Sequence, residues 1–281
     1  MGGSPALWGL ILPGMVAAAL AGAASGLLGV CSLRLQLSSV GFAMAHAAFA
    51  GAALGLLVPV PPLLLSLLFA LGVAALLGPV SELTRLPAET VLGVTFPLTM
   101  ALGFVFLALA PGQAMASPAL SLLWGSVLGV GWQEVGLLCG VLGASGGLLI
   151  LFRREVVSVL FDRRLAEEAG IPSRPYLWLI LFLIAATVAV SLRLVGGILI
   201  YSLLMLPASA ASQLVYDMKK LLFLSPFFGA TAALGGFAAS WWLDLPVGAA
   251  IALVAALGLA LATLFSPKRR RPKPASEERA H

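Results

Sequence analysis

Long apolar runs recur along the chain, and they constrain its fold more than any other feature of the sequence. The runs are about 18–24 residues long, which is the length that a helix needs to cross a bilayer. Helices and closed barrels satisfy their backbone hydrogen bonds in lipid, and these runs are too continuous for barrel strands. The sequence therefore predicts an all-α polytopic membrane protein with about nine transmembrane spans, within a range of about eight to ten. The expected spans are residues 7–30, 38–58, 62–80, 94–111, 134–152, 176–193, 195–213, 221–241 and 245–266.

Charged side chains are scarce and lie mainly at the ends of these runs. Hydrophobic residues make up 61% of the 281 residues and charged residues only 10%, which excludes a soluble domain of this length. The basic residues are spread over loops and a C-terminal tail, so the net charge of +5 does not indicate nucleic-acid binding. If that tail is cytoplasmic, every Lys and Arg except Arg193 lies on the cytoplasmic side, as the positive-inside rule requires. We therefore expect a membrane domain over residues 1–266, a disordered basic tail over residues 267–281, and an N-terminus outside.

Glycines four residues apart occur within several predicted spans. Such pairs let two helix backbones approach closely in lipid, so they predict packing and not a substrate. The pairs are Gly22 and Gly26, Gly51 and Gly55, and Gly136 and Gly140.

One ionisable side chain lies in the interior of a predicted span. His46 is near the middle of the second span, whereas all 11 acidic residues fall in loops, at span ends or in the tail. A protonatable ring at this depth is costly unless it faces other helices or a water-filled path. Two interpretations stay open: His46 lines a permeation path, or it is a neutral imidazole bonded to a neighbouring carbonyl or hydroxyl. The sequence has no nucleotide-binding loop and no hydrolase motif, so we do not expect an enzyme.

The longest predicted cytoplasmic loop, residues 153–175, contains the signals of a short helix. Asp162 is suited to cap its N-terminus, and Leu165 and Ala166 give it an apolar side. Gly170, followed by a proline, is expected to end it. An apolar face with a charged rim favours docking on a cytosolic partner, and a solvated connector is the alternative.

Five stretches of the sequence, in order, resemble the permease subunit of the bacterial zinc/manganese/iron ABC importers. The first is similar to the family's signature around an intramembrane His, and here that His is His46. The third is similar to the family's coupling helix, and the last, Leu-Asp-Leu-Pro-Val-Gly-Ala, is similar to an outer turn. The stretches are residues 40–51, 88–93, 161–172, 191–212 and 243–249, within a likeness that extends from about 15 to 265.

This resemblance implies an architecture like that of the vitamin B12-importer permease, with a second permease copy, identical or different, in the complex. It implies that a cytoplasmic ABC ATPase uses the ATP and that an extracytoplasmic metal-binding protein delivers the ion. The chain itself would bind no cofactor and no nucleic acid, would contact membrane lipid, and would lie in the plasma (inner) membrane of a bacterium or archaeon. The coupling helix, expected over about 160–170, would be formed or shaped by Phe161, Asp162, Leu165, Ala166 and Gly170.

The likeness is incomplete at the residues that correspond to the metal route. The family places an Asp four residues before the His, where a carboxylate and an imidazole on one helix face suit a divalent cation. Here Phe42 replaces the Asp, which leaves His46 as the expected transient metal ligand. Phe42 and Met44 are further residues expected on the permeation path. The leading interpretation is the permease of an ATP-driven importer for a divalent transition-metal ion, of zinc, manganese or iron type. The alternatives are an importer of the same architecture for a metal chelate, cobalamin or haem, and an ATP-independent channel.

Overall fold

The computed structural model describes residues 5–110, 130–196 and 200–270, and these residues form helices and no strands. The elements are α1 (Pro5–Arg34), α2 (Val40–Leu54), α3 (Pro62–Thr84), α4 (Ala88–Leu109), α5 (Trp132–Leu151), α6 (Arg153–Phe161), α7 (Arg163–Glu168), α8 (Ser173–Val195), α9 (Ile200–Leu214), α10 (Met218–Leu243) and α11 (Val247–Leu264). A 3-10 turn, Pro267–Arg270, follows α11 and contains the first residues of the predicted tail. The remainder of that tail, 271–281, lies outside the described residues, so its disorder stays a prediction.

Within the described ranges, seven helices are long and apolar enough to cross a membrane, and two shorter helices are also apolar. The long ones are α1, α3, α4, α5, α8, α10 and α11, and the short ones are α2 and α9, with 15 residues each. These helices fall on the spans that the sequence predicts, with ends that differ by a few residues. The predicted all-α polytopic fold is therefore confirmed, with a span count of about nine.

The short helix α2 lies at the centre of the bundle. Thirteen of its 15 residues are buried, because α3, α4, α8 and α9 pack around it. A helix that is apolar on all sides is expected to be buried in this way. Its many Ala and Gly residues let the surrounding helices approach its backbone closely.

Two of the three glycine pairs lie at close helix contacts. A Cβ atom added to Gly22 of α1 would lie 2.3 Å from the backbone oxygen of Gly229 in α10. Gly51 of α2 lies equally close to the backbone of α3. Gly136 and Gly140, in contrast, have no described atom within 4 Å of an added Cβ. The packing prediction is wrong for that pair within the described chain, because spacing alone does not provide a partner helix.

Basic residues collect at one end of the bundle, which we call the basic face and define by Arg34, Arg163, Arg174 and Lys268. Arg163 and Arg174 line a cleft of about 860 Å³, bounded by the C-terminal ends of α1 and α3 and the N-terminal ends of α4 and α8. Lys268 donates a hydrogen bond to the backbone oxygen of Ser212 at the end of α9. Burial, and then the positive charge of Arg34, lower the pKa of Lys268. These four basic residues therefore share one end of the bundle.

Candidate functional site

His46 lies in the middle of α2 and is only 2% exposed. Its Nδ1 atom is 2.9 Å from the backbone oxygen of Phe42, one helical turn earlier. A carbonyl oxygen can only accept a hydrogen bond, so Nδ1 carries the proton and donates it. In the neutral ring, Nε2 then has a free lone pair, which is the arrangement found in metal-binding histidines.

Two aromatic rings, Phe42 and Phe96, contact this imidazole, and Tyr201 contacts Phe42. We call these four side chains the aromatic cluster: Phe42, His46, Phe96 and Tyr201. The ring of Phe96 from α4 meets His46 edge-on, with centroids 4.7 Å apart. Phe42 lies 4.6 Å from His46, 4.4 Å from Phe96 and 5.6 Å from Tyr201 of α9, centroid to centroid. The cluster therefore joins α2, α4 and α9, and Phe42 lies at its centre. Phe42 and His46 are predicted from the sequence, whereas no motif marks Phe96 and Tyr201.

The aromatic cluster offers one nitrogen ligand, the imidazole of His46, among aromatic rings. No carboxylate belongs to it, and the described residues contain no group of three or more His, Cys, Asp or Glu side chains that could hold a metal ion. A single imidazole offers one weak ligand, because stable metal sites use several donors. The arrangement does not suit permanent metal binding.

Met44, the third residue predicted on the path, is fully buried in the hydrophobic core. Residues two apart on a helix do not share a face, so Met44 and His46 point to different sides of α2. Its place on a permeation path remains a prediction.

The predicted short helix, expected over about 160–170, is α7, Arg163–Glu168. Its predicted beginning is wrong, because the chain is extended at Asp162 and Phe161 is the last residue of the separate helix α6. The Asp162 carboxylate accepts hydrogen bonds from the backbone nitrogens of Arg164 (2.8 Å) and Leu165 (3.2 Å), so the predicted N-cap is confirmed. Gly170 has a φ of +81° and follows the last turn, where a residue without a side chain is favoured. The predicted end of the helix at Gly170 is confirmed as well.

The surface beside α7 exposes two large apolar side chains, and we call Phe161 and Leu165 the docking pair. Phe161 is 85% exposed and Leu165 is 55% exposed, whereas Ala166 is only 3% exposed and packs inward. The prediction of one apolar side shared by Leu165 and Ala166 is therefore wrong, because successive helical residues point in different directions. Exposed apolar groups among charges are typical of a protein-docking surface.

Contacts at the end of α7 link this surface to the interior of the bundle. The hydroxyl of Ser173, the first residue of α8, donates a hydrogen bond to the Glu167 carboxylate. Helix α8 in turn packs against α2 and α3. One helix, α8, therefore connects α7 to the helix that carries His46.

Comparisons with known proteins agree with this architecture. The manganese transport system membrane protein MntC of Listeria innocua is 26% identical over 262 residues, which cover 93% of this chain and 92% of that protein. The structure of PsaBC from Streptococcus pneumoniae in complex with Fab is similar, with a TM-score of 0.83, 26% identity and 92% of each chain covered. A chain described as a metal-chelate type ABC transporter, in an inward-facing conformation, shares the fold, with a TM-score of 0.75 and 18% identity over 93% of this chain and 89% of that one.

The family assignment rests on the whole length of the membrane domain. The ABC 3 transport family matches residues 8–266, from the first span to the end of the last. This match confirms the resemblance found in the separate stretches of the sequence. The protein therefore belongs to the ABC 3 transport family.

Proposed function

We propose that this chain is the permease subunit of an ATP-driven importer for a divalent transition-metal ion, with manganese as the first candidate. The observation that carries the proposal is the family match over residues 8–266, together with a manganese transport protein that aligns over 93% of the chain. The sequence has no nucleotide-binding loop, so a separate ATPase hydrolyses the ATP and the chain is not itself an enzyme. Alternating access of the permease halves moves the ion.

The basic face is cytoplasmic in this proposal, and the protein lies in the plasma membrane of a bacterium or archaeon. The excess of Lys and Arg at that face supports the orientation, because basic loops are retained in the cytoplasm. The tail after α11 is then cytoplasmic and the N-terminus is outside. Labelling of a cysteine introduced near Lys268 with a membrane-impermeant thiol reagent tests this orientation. The cysteine should be labelled in inverted vesicles and not in intact cells.

The ATPase binds the docking pair, and a second permease copy completes the complex. Phe161 and Leu165 supply apolar area that partner contact would remove from water. The hydrogen bond between Ser173 and Glu167, and the packing of α8 on α2, give a route by which ATPase movement reaches His46. An extracytoplasmic metal-binding protein delivers the ion to the opposite end.

Copurification tests this assembly. We expect an ABC ATPase to copurify with the wild type and to be lost with Phe161→Asp, which places a charge in the apolar contact. Glu155→Gln, also on the loop but outside the docking pair, is the matched control and should keep the ATPase. Equal recovery of the ATPase with Phe161→Asp would contradict the docking surface, and no ATPase with the wild type would favour an ATP-independent channel.

His46 contributes to transport as a weak, transient ligand. The hydrogen bond from Nδ1 to the Phe42 carbonyl orients the ring and leaves Nε2 free for the ion. Weak coordination allows release as well as entry, which conduction requires. We expect His46→Ala to lower ATP-dependent manganese uptake at least about tenfold. Uptake that survives the substitution would return His46 to a structural role.

The aromatic cluster favours a second candidate function, the import of a larger metal chelate, cobalamin or haem. Phe42 replaces the carboxylate expected for a bare cation, and three aromatic rings suit an apolar or planar ligand. Uptake assays with free Mn²⁺, Zn²⁺ and Fe²⁺ beside haem and cobalamin separate the two. Uptake of a chelate alone would select this second candidate.

A further inference from the structure

Glu89, in the first turn of α4, binds the beginning of α2. Its Oε1 atom accepts hydrogen bonds from the Ser38 hydroxyl (2.6 Å), the Ser39 backbone nitrogen (2.9 Å) and the Ser39 hydroxyl (2.6 Å). Ser39 is the N-cap residue of α2, yet its side chain makes no capping hydrogen bond to its own helix. A carboxylate on one helix therefore caps the N-terminus of another.

The charge of Glu89 is well placed for this contact. It lies at the N-terminal ends of both α2 and α4, where the helix dipole stabilises a negative charge. Hydrogen bonds to a carboxylate are shorter and stronger than neutral ones. The other oxygen, Oε2, is buried without a hydrogen-bond partner among the described residues. The interaction of this carboxylate with α2 thus depends on Oε1 alone.

The contact between Glu89 and Ser39 lies on the same faces of α2 and α4 as the aromatic cluster. Ser39, Phe42 and His46 follow one another at i, i+3 and i+7, and Glu89 and Phe96 are also seven residues apart. The serine contact is therefore about two turns, roughly 10 Å, from the His46 ring along α2. Several contacts join α2 to α4: the carboxylate at the basic face, the aromatic rings deeper in the bundle, and beyond them the ring pair Phe49–Phe104, with centroids 5.7 Å apart.

We infer that Glu89 is a positioning residue for transport, which holds α2 and α4 together so that both helices move as one unit. This inference rests on the proposed function. Glu89 lines the same cleft as Arg163 of α7, so the contact lies beside the segment that the ATPase would displace. Without the contact between Glu89 and Ser39, movement of α8 would shift α2 relative to α4 and separate His46 from Phe96. ATP would then be hydrolysed with little ion movement.

The test compares ion uptake with ATP hydrolysis in proteoliposomes that contain the permease, its ATPase and its binding protein, with Mn²⁺ as the probe. We expect Glu89→Gln to lower the uptake of Mn²⁺ per ATP hydrolysed about tenfold, because the charged hydrogen bonds are lost. Ser39→Ala should lower the same ratio, and the double variant should be no worse than Glu89→Gln, because both act on one contact. A fold defect would reduce uptake and hydrolysis together and leave their ratio unchanged.

Glu82→Gln is the matched control. Glu82 lines the same cleft but pairs with Arg174 at 2.8 Å in an exposed contact, with side chains 65% and 75% exposed. Such exposed pairs contribute little, so the ratio should stay at the wild-type value. Hydrogen exchange of the Ser39 amide, which does not depend on transport, should be faster in Glu89→Gln and unchanged in Glu82→Gln.

The outcomes separate this inference from the proposed function. If the wild type transports and Glu89→Gln keeps the wild-type ratio of Mn²⁺ uptake to ATP hydrolysis, the inference alone is overturned. An unchanged exchange rate of the Ser39 amide in Glu89→Gln would also overturn the inference alone. Absence of ATP-dependent uptake in the wild type, for Mn²⁺ and for the other cargoes above, would overturn the proposed function, and the inference with it.

Discussion

The contact between α1 and α10 at Gly22 and Gly229 predicts that one methyl group will destabilise the bundle. A Cβ on Gly229 would lie 2.0 Å from the Gly22 backbone oxygen, whereas ordinary contacts are 3.4–4 Å. The two helices would have to separate by roughly 1.4 Å, because neither contact partner is a flexible side chain. A gap of this size removes more than about half of the local dispersion energy, and overpacking typically costs about 1–3 kcal/mol.

The expected net effect of Gly229→Ala is a loss of about 2 kcal/mol, since the higher helix propensity of Ala offsets part of the overpacking. Reversible denaturant unfolding of the purified protein in mixed micelles measures this difference. Gly258→Ala in α11 is the matched control, because an added Cβ there has no described atom within 4 Å. It should leave stability unchanged or slightly raised.

A double variant sharpens this test. Gly22→Ala opens the same interface, so combining it with Gly229→Ala should cost less than the two separate losses together. Wild-type stability in Gly229→Ala, or equal losses in Gly229→Ala and Gly258→Ala, would refute the close approach of α1 and α10.

Two further predictions concern α7. Asp162→Lys removes the N-cap, at a cost of about 1 kcal/mol, and places a positive charge at the helix N-terminus. Uptake should fall while the yield and melting temperature of the protein stay close to wild type, and unchanged uptake would remove the coupling role of Asp162. Gly170→Ala forces a side chain into a backbone with φ +81°, which costs about 1 kcal/mol and should speed hydrogen exchange at residues 166–171. Exchange at the wild-type rate would contradict that backbone conformation.

The sequence predicts features that depend on local chemistry or on the bilayer. The spans follow from apolar length, and His46 is conspicuous because it is ionisable at the centre of a span. The cap at Asp162 and the end at Gly170 are also predictable, because each depends on a few neighbouring residues.

Features that depend on which helices meet are not predictable in this way. Phe96 and Tyr201 lie far from His46 along the chain, and only the packing of α4 and α9 against α2 brings them together. The contact between Glu89 and Ser39 arises in the same manner. Gly136 and Gly140 show the converse, because their spacing permits a close contact that no described helix makes.

In the proposed function, this chain transports a divalent metal ion with energy from a partner ATPase. The most direct measurement is Mn²⁺ accumulation in proteoliposomes that contain the permease, the ATPase and the binding protein, with ATP or a non-hydrolysable analogue on the side of the basic face. We expect accumulation against the concentration gradient with ATP and none with the analogue. Equal entry under both conditions, or ATP hydrolysis without entry of Mn²⁺, would contradict it.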